Sequence, residues 1–150
     1  MPDTTIRVID VYPYRQDSVN PEFLLLRRAP GTPYEGQWRM VGGKIASGEA
    51  AWQAARRECR EETGHNPESF WAVPSVNAFY EWQEDRINLV PAFAAALPGD
   101  PVLDDEHDAY AWWPAQEAVE RLDWPEQRRL LRLVDRTLRD GVPPSLVIDR

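Results

Sequence analysis

The chain has 150 residues, a formal net charge of −8 and one cysteine, Cys59. Its length suits one domain with a sizeable core, residues 1–150, and its acidity argues against nonspecific binding of duplex nucleic acid. A lone cysteine excludes an intramolecular disulfide and suits a cytoplasmic protein, and no membrane is expected as a partner because no secretory segment or apolar run of ~20 residues is present.

Periodicity and turn residues predict the elements in chain order. Strands are expected at 6–12, 23–28, 71–82, 86–97 and 109–113. Turns or loops rich in Pro, Gly, Asp, Ser and Asn are expected at 13–21, 29–37, 83–85 and 98–101. Helices are expected at 47–63, 114–122 and 124–139, with Ser47 as an N-cap, Gly64 as a C-cap, and Pro114 and Pro125 opening the later two. Strands around a central helix, with a helix closing the chain, predict an α/β fold, an α/β/α sandwich around a central mixed sheet.

The helix predicted at 47–63 carries carboxylates beside its apolar stripe. At 100° per residue, Glu58 and Glu62 lie about 40° apart, and Glu61 lies within about 100° of both. Glu49 falls on the opposite, solvated face of the same helix. Carboxylates that crowd together and point inward repel one another and lose hydration, and a bound divalent cation would relieve both effects.

The same segment resembles the Nudix box, G-x5-E-x7-R-E-U-x-E-E-x-G-U, in which U is a bulky apolar residue. Its fixed positions are filled by Gly43, Glu49, Arg57, Glu58, Glu61, Glu62 and Gly64. Two positions depart from the pattern, since Cys59 is small and His65 is polar. The alternative is an ordinary amphipathic helix with a charged face, which the inward carboxylates and the matching spacing disfavour.

The resemblance implies a divalent-metal site. Its implied ligands are the backbone oxygen of Gly43 and the side chains of Glu58, Glu61 and Glu62. Glu61 would either bind the metal or hold its water, and Arg57 would organise the carboxylates through Glu49 or Glu61. Oxygen ligands around a diphosphate favour Mg²⁺ or Mn²⁺ as the cofactor.

The implied reaction is hydrolysis of a nucleoside diphosphate linked to another group X, so the expected partner is a small-molecule nucleotide or pterin polyphosphate. Lys44 and Arg28 are candidates for phosphate contacts, and Trp38 is a candidate for stacking on a flat ring. Which glutamate acts as the general base stays open.

Beyond the box, the chain most resembles the bacterial dihydroneopterin-triphosphate pyrophosphohydrolases, which also cleave deoxynucleoside triphosphates. In that group a glutamate matching Glu106 supplies a third carboxylate from a remote loop. Several acids at 104–108 keep this register open, and a solvated acidic loop is the alternative. His65 and His107 are expected to be surface or structural residues rather than metal ligands.

Two other functions stay open. Tyr80, a candidate substrate contact, lies 16 positions after Gly64, where a tyrosine in Nudix enzymes accompanies hydrolysis of dinucleoside polyphosphates. A tyrosine packed in a strand is the simpler interpretation. A noncatalytic nucleotide-binding Nudix module is the other option, disfavoured because every catalytic glutamate is present. The oligomeric state is open, with a homodimer as one option.

Overall fold

The computed structural model describes residues 1–16 and 20–150. Its strands are β1 Asp3–Thr5, β2 Val8–Arg15, β3 Glu22–Arg28, β4 Trp38–Arg39, β5 Val41–Lys44, β6 Ser69–Glu81, β7 Arg86–Ala96 and β8 His107–Pro114. Its helices are α1 Ala51–Thr63, α2 Ala115–Arg121 and α3 Pro125–Asp140, followed by a short 3-10 helix at Pro144–Leu146.

The described strands form one mixed sheet. Strand β7 pairs in parallel with β1 and β2 and antiparallel with β6. Strand β2 pairs antiparallel with both β5 and β3, and β3 in turn pairs antiparallel with β4 and β8. The predicted mixed sheet is therefore confirmed.

Alternate side chains of the sheet point into two cores on its opposite faces. On one face, Ile9 and Leu24 pack with buried residues of α1 such as Ala55. On the other face, Tyr12 packs with buried residues of α2 and α3 such as Leu130. Because α1 and α3 cover opposite faces, the layers form the predicted α/β/α sandwich.

The first long strand extends further than predicted. The turn expected at 13–21 is wrong for residues 13–15, which belong to β2, while residues 17–19 lie outside the described part of the chain. Pro13 is tolerated in this strand because of a change of partner. The register pairs of β2 with β5 end at Val11, and those with β3 begin at Tyr14. Pro13 lies between these two sets of pairs, where β2 has neither β3 nor β5 as a partner, so its missing N–H removes no hydrogen bond to those strands.

The start of the central helix also differs from the prediction. α1 begins at Ala51 with Ala50 as its N-cap, so Ser47 is not the cap. The side chain of Gln53 accepts a hydrogen bond from the Ala50 N–H at 2.8 Å and satisfies that end. The predicted C-cap is confirmed, since Gly64 adopts the left-handed conformation (φ 76°) that glycine accommodates best.

The remaining elements follow the prediction closely. The 71–82 and 86–97 segments form the β6–β7 hairpin around the predicted turn, and α3 begins at Pro125. Pro114 ends β8 and caps α2 rather than opening it. Strands β1, β4 and β5 were not predicted, because β1 is short and polar, β4 has two residues and β5 contains two glycines. Among the described residues, no helix is long and apolar enough to cross a membrane.

Candidate active site

α1 buries one of its three clustered glutamates and partly buries a second. The side chain of Glu62 is 6% exposed and that of Glu58 is 15% exposed, whereas that of Glu61 is 53% exposed. Glu58 and Glu62 are one turn apart and face β5, as the spacing predicts. The expectation that Glu61 points inward with them is wrong, because its position lies further round the helix, beyond the contact with β5.

Arg57 ties this cluster to the loop before α1. Its Nε and Nη2 donate to the two carboxylate oxygens of Glu49, both at 2.9 Å. Its Nη1 donates to Glu58 at 2.8 Å and to Glu61 at 3.3 Å, and Nη2 also donates to the Lys44 carbonyl at 2.9 Å. The bonds from Arg57 lower the pKa of Glu49 to about 2. Glu49 therefore does not lie on the solvated helix face that was predicted for it, but in a bidentate ion pair before the helix begins.

Strand β5 brings glycine backbone against the two buried carboxylates. The Gly42 N–H donates to Glu62 Oε2 at 3.3 Å. A Cβ added at Gly43 would lie 2.2 Å from Glu58 Cδ, so any side chain there would displace the carboxylate. Glycine permits this close approach of the β5 backbone to Glu58. Metal binding by the Gly43 carbonyl stays a prediction.

Glu62 lies between acidic and imidazole groups in a buried position. His107 Nε2 is 3.5 Å from Glu62 Oε1, and His107 Nδ1 is 2.7 Å from Asp104 Oδ1. Burial, together with repulsion from nearby Glu58, raises the pKa of Glu62 to about 9. A positive charge beside the pair would favour the ionised form again. His107 is thus a buried contact of the cluster, a position that its sequence did not indicate.

The remote acidic loop orients its side chains in different directions. The side chain of Glu106 is 61% exposed, and its Oε2 accepts a hydrogen bond from Arg28 Nη1 at 3.1 Å. Asp104 Oδ1 accepts the Glu106 backbone N–H at 3.2 Å as well as contacting His107. The residue that this loop brings to Glu62 is therefore His107, and the ligand role of Glu106 stays a prediction.

Two adjoining cavities open beside these residues. The carboxylate cavity, of about 350 Å³, is lined among others by Arg28, Gly42, Gly43, Lys44, Glu62 and His107. The aromatic cavity, of about 380 Å³, is lined among others by Trp38, Asn77, Phe79, Trp124 and Gln127. Both are lined by Val8, Asp10, Tyr34 and Arg39, so the two cavities adjoin, and together they are called the cleft. The structure places Arg28 and Lys44 with Glu62 in the carboxylate cavity, and Trp38 in the aromatic cavity beside it.

Tyr80 lies on a different part of the sheet from this cleft. Side chains alternate along β6, so Phe79 faces the aromatic cavity while Tyr80 faces the other side of the sheet. Tyr80 is 56% exposed, and its hydroxyl donates to Asp85 Oδ1 at 2.7 Å in the hairpin turn. The structure does not bring it together with the other candidate residues.

The Glu58–Glu62 pair fits a hard divalent cation better than zinc. Within the described ranges, no three His, Cys, Asp or Glu side chains are arranged to hold a metal ion by themselves. Zinc sites need three or four such ligands, whereas Mg²⁺ binds through one or two carboxylates and leaves its other positions to water and substrate phosphate. Two buried carboxylates that face a glycine backbone match the second pattern.

The sequence analysis missed the polar floor of the aromatic cavity. Asp10, Asn77 and Gln127 are buried there, and the two amides both donate to Asp10, although the three residues come from separate elements. One signal was present, because a single aspartate interrupts the apolar run of β2. An isolated buried carboxylate requires partners, and the sequence does not show where those partners are.

Residues 4–134 match the NUDIX domain family, a span that contains every candidate residue of the cleft. The chain belongs to the NUDIX family. Its similarity to the Nudix box is therefore part of a match along most of the chain, and the buried Glu58–Glu62 pair with Arg57 is the structural form that the box takes here.

Among relatives of this NUDIX chain, an asymmetrical bis(5'-nucleosyl)-tetraphosphatase from Caenorhabditis elegans is 32% identical over 123 residues, covering 79% of the chain and 86% of that protein. An 8-oxo-(d)GTP phosphatase from Mycolicibacterium smegmatis is 31% identical over 100 residues, covering 67% of the chain and 30% of that protein. The chain spans less than a third of the length of this phosphatase and of an octanoyltransferase from Myxococcus xanthus that it also matches.

Solved structures agree with the NUDIX fold. A C. elegans Ap4A hydrolase binary complex has a TM-score of 0.72 at 25% identity, covering 89% of this chain and 98% of that one. The Escherichia coli dihydroneopterin triphosphate pyrophosphohydrolase has a TM-score of 0.68 at 22% identity, covering 91% and 99%. These likenesses confirm the predicted fold, and they extend to proteins that act on different substrates.

Proposed function

We propose that this protein hydrolyses a phosphoanhydride bond of a nucleoside or pterin triphosphate, releasing pyrophosphate and a monophosphate. The observation that carries the proposal is that the aromatic cavity adjoins the carboxylate cavity and shares four lining residues with it. Arg28 and Lys44 offer positive charge to phosphate at one end, and Trp38 offers a flat surface at the other. A substrate with one ring and one polyphosphate chain fits this cleft.

Glu58, Glu62 and the Gly43 carbonyl would hold Mg²⁺ or Mn²⁺, which when bound neutralises polyphosphate charge and lowers the pKa of a water molecule. Arg57 positions Glu58 through its 2.8 Å bond. Glu61 is half exposed and has a longer contact with Arg57, so its carboxylate is free to accept the proton of the attacking water. A base of this kind typically contributes a factor of about 10²–10⁴ in rate.

Glu106 would supply a third carboxylate to the metal ion that carries the polyphosphate, from the side opposite α1. Its partner Arg28 lines the carboxylate cavity, and the Glu106 side chain is exposed enough to exchange that ion pair for another contact. A polyphosphate held from both sides is better oriented for attack than one held from a single helix. This role is part of the proposal and is tested separately below.

A dinucleoside polyphosphate is the second candidate substrate. The C. elegans relative, a bis(5'-nucleosyl)-tetraphosphatase, favours it because the similarity covers 86% of that protein. Within the described residues, however, one aromatic cavity adjoins the carboxylates, and Tyr80 lies on the other side of the sheet. This geometry favours a substrate with a single ring.

Product analysis with Mg²⁺ distinguishes these substrates. The panel contains the deoxynucleoside triphosphates, dihydroneopterin triphosphate and diadenosine tetraphosphate, and the products are separated by ion-exchange chromatography. We expect a monophosphate and pyrophosphate from the triphosphates, with activity lost in excess chelator. Preferential cleavage of the tetraphosphate would favour the second candidate, and binding without cleavage of any substrate would indicate a noncatalytic module.

The matched variants are Glu58→Gln, inside the cluster, and Glu68→Gln, at an exposed position outside it. Glu58→Gln removes a charge with little change of shape, so turnover should fall by a factor of about 10² or more. Glu68→Gln should leave turnover unchanged, and both variants should keep the wild-type melting temperature within a few degrees. Wild-type turnover in Glu58→Gln would contradict the proposed site.

A further inference from the structure

The aromatic cavity has a floor of three almost fully buried polar side chains. Asp10 of β2, Asn77 of β6 and Gln127 of α3 are 6%, 3% and 5% exposed, and all three line the cavity. Buried polar groups are nearly always hydrogen-bonded, so their mutual bonds decide which of their atoms remain available to a ligand. Asp10 also lines the carboxylate cavity, and the floor was not used in the reaction described above.

The hydrogen bonds of the floor fix the orientation of both amides. Asp10 Oδ2 accepts from Asn77 Nδ2 at 3.3 Å and from Gln127 Nε2 at 3.1 Å. Asn77 Oδ1 accepts from Trp124 Nε1 at 3.1 Å, so the Asn77 amide is bonded at both ends. The indole N–H can only donate and the carboxylate accepts, which excludes the flipped amide.

This arrangement leaves acceptors, rather than donors, as the available groups. Among the described residues, Asp10 Oδ1 and Gln127 Oε1 have no hydrogen-bond partner. Burial raises the pKa of Asp10, and the hydrogen bonds from Gln127 and Asn77 offset only part of that rise. A ring edge that enters the cavity meets Asp10 Oδ1 and Gln127 Oε1, the two oxygens that the floor leaves unbonded.

The aromatic walls of the cavity are held in place by contacts with other rings and by a hydrogen bond. Trp38 packs edge-on against Trp113 with ring centroids 4.9 Å apart, and Phe79 packs edge-on against Trp124 at 5.1 Å. Trp124 is further held by its bond to Asn77. A ring between these walls would point its edge at the floor, so the floor's acceptors can discriminate one ring edge from another.

The edge that suits two acceptors carries a ring N–H next to an amino group. Guanine and the pterins share this edge, whereas adenine carries a lone pair on the corresponding ring nitrogen. A carboxylate attracts the N–H of the first group and repels the lone pair of the second. Leaving a buried acceptor opposite a lone pair also costs the hydrogen bond that the acceptor would otherwise make.

We propose that Asp10 is a specificity-determining residue that selects ligands with the 2-amino-4-oxopyrimidine edge, as found in guanine nucleotides and pterins. The proposal rests on the proposed function in taking the aromatic cavity as the site of the substrate ring. It concerns binding alone, and it can hold or fail whichever phosphate bond is cleaved.

The test measures equilibrium binding of monophosphates, which requires no hydrolysis. The ligands are dGMP, dIMP, dAMP and dihydroneopterin monophosphate, titrated by calorimetry into the wild-type protein with Mg²⁺. We expect dGMP to bind at least tenfold more tightly than dAMP, with dIMP between them because it has the ring N–H but lacks the amino group. Comparison of dGMP with dihydroneopterin monophosphate then separates a nucleotide from a pterin as the source of this edge.

Asp10→Asn tests the residue itself. In Asp10→Asn the amide oxygen would keep the bonds from Asn77 and Gln127, and the NH2 group would take the place of Oδ1. That NH2 donates to the ring nitrogen of adenine and opposes the ring N–H of guanine, so the preference for dGMP over dAMP should fall to about unity or reverse. Asp140→Asn, at an exposed position at the end of α3, is the matched control and should keep the wild-type preference. If Asp10→Asn does not fold, the wild-type ligand series still decides the proposal.

The outcomes separate this inference from the proposed function. Equal affinity of the wild-type protein for dGMP and dAMP would overturn the inference even if triphosphates are hydrolysed. An unchanged preference in folded Asp10→Asn would also overturn it. A preference for dGMP that depends on Asp10, in a protein that cleaves no triphosphate, would support the inference and contradict the proposed function.

Discussion

A buried glutamate beside a second carboxylate is a costly arrangement for a folded protein. The raised pKa of Glu62, about 9, expresses that cost, since burial and Glu58 both oppose its ionisation. The unfolded chain would ionise this group near its ordinary pKa of about 4.3. Between these two pKa values the folded protein binds a proton at Glu62 that the unfolded chain has released, so raising the pH destabilises the fold. The contribution of Glu62 to stability is therefore complete below about pH 4 and is lost as pH rises through about 9.

Glu62→Gln should therefore stabilise the metal-free protein while abolishing its function. We expect the melting temperature of the variant to exceed that of the wild type without metal, by a margin that grows from pH 5 to pH 9. Added Mg²⁺ should raise the wild-type melting temperature more than that of the variant, and turnover of the variant should fall by about 10² or more. A variant that melts below the wild type at pH 8 without metal would contradict this account of Glu62.

The acidic loop before β8 provides a second test at the scale of single residues. Asp104 is already bonded to His107 and to a backbone N–H, whereas Glu106 has an exposed ion pair with Arg28. We expect Glu106→Gln to lower turnover far more than Asp104→Asn, which keeps an acceptor for His107. The measurement is turnover at saturating Mg²⁺, with melting temperature as the control for folding. Equal, small effects would identify the loop as a solvated acidic surface.

The sequence predicted single residues well where one helix carries them all. Glu58 and Glu62 are one turn apart, so helical geometry alone places them on the same side. His107 and Asp10 reach the cleft from other strands, and Asp10 meets Gln127 across 117 positions of the chain. A contact of that separation depends on the path of the whole chain, which local pattern does not contain.

At the scale of elements, the decisive contact is between β5 and α1. Strand β5 lies so close to the helix that Glu58 occupies the space where a residue 43 side chain would be. The bidentate pair between Arg57 and Glu49 holds the connecting loop in place beside them. The strand, the loop and the helix therefore position the carboxylates as a unit.

Gly43→Ala tests this contact. A Cβ 2.2 Å from Glu58 Cδ must displace the carboxylate, so we expect turnover to fall by tenfold or more. A displacement of about 1 Å in a catalytic group typically lowers the rate by about 10²-fold. The melting temperature should change little, because the displaced atoms are at the end of the flexible Glu58 side chain and can move without shifting the backbone. Gly99→Ala is the matched control, since its Cβ would meet nothing within 4 Å. Wild-type turnover in Gly43→Ala would show that Glu58 has no fixed position in the reaction.

Element boundaries were the weaker part of the sequence prediction. Ser47 is a good N-cap by residue type, but the helix begins after Ala50 because Gln53 and Glu49 satisfy the backbone amides of Ala50 and Ala46. The backbone amides at a helix start can be satisfied by the side chain of the N-cap residue or by the side chain of a neighbouring residue, and the two cases look alike in a sequence. The difference mattered here, because it moved Glu49 from the helix surface into the ion pair with Arg57.

For the whole molecule, layer architecture was predictable and strand order was not. Alternating strands and helices favour a sandwich, but the parallel pairing of β2 with β7 joins residues such as Asp10 and Ala92. Packing of two helices on opposite faces of one sheet makes α1, with its glutamates, and α3, with Gln127, parts of the same structure. Helix α1 lines the carboxylate cavity, helix α3 lines the aromatic cavity, and Asp10 of β2 lines both.

This connection predicts that the two faces of the sheet unfold together. Leu130 is fully buried in the core under α3, so Leu130→Ala should lower the free energy of unfolding by about 2–5 kcal/mol. Mg²⁺ bound at α1, on the other face, should still add the same increment of stability to the variant as to the wild type, because distant and independent effects add. Urea titration followed by tryptophan fluorescence, with and without Mg²⁺, measures both quantities. Two separate transitions, or a variant that gains no stability from Mg²⁺, would show that the α1 and α3 layers are not one cooperative unit.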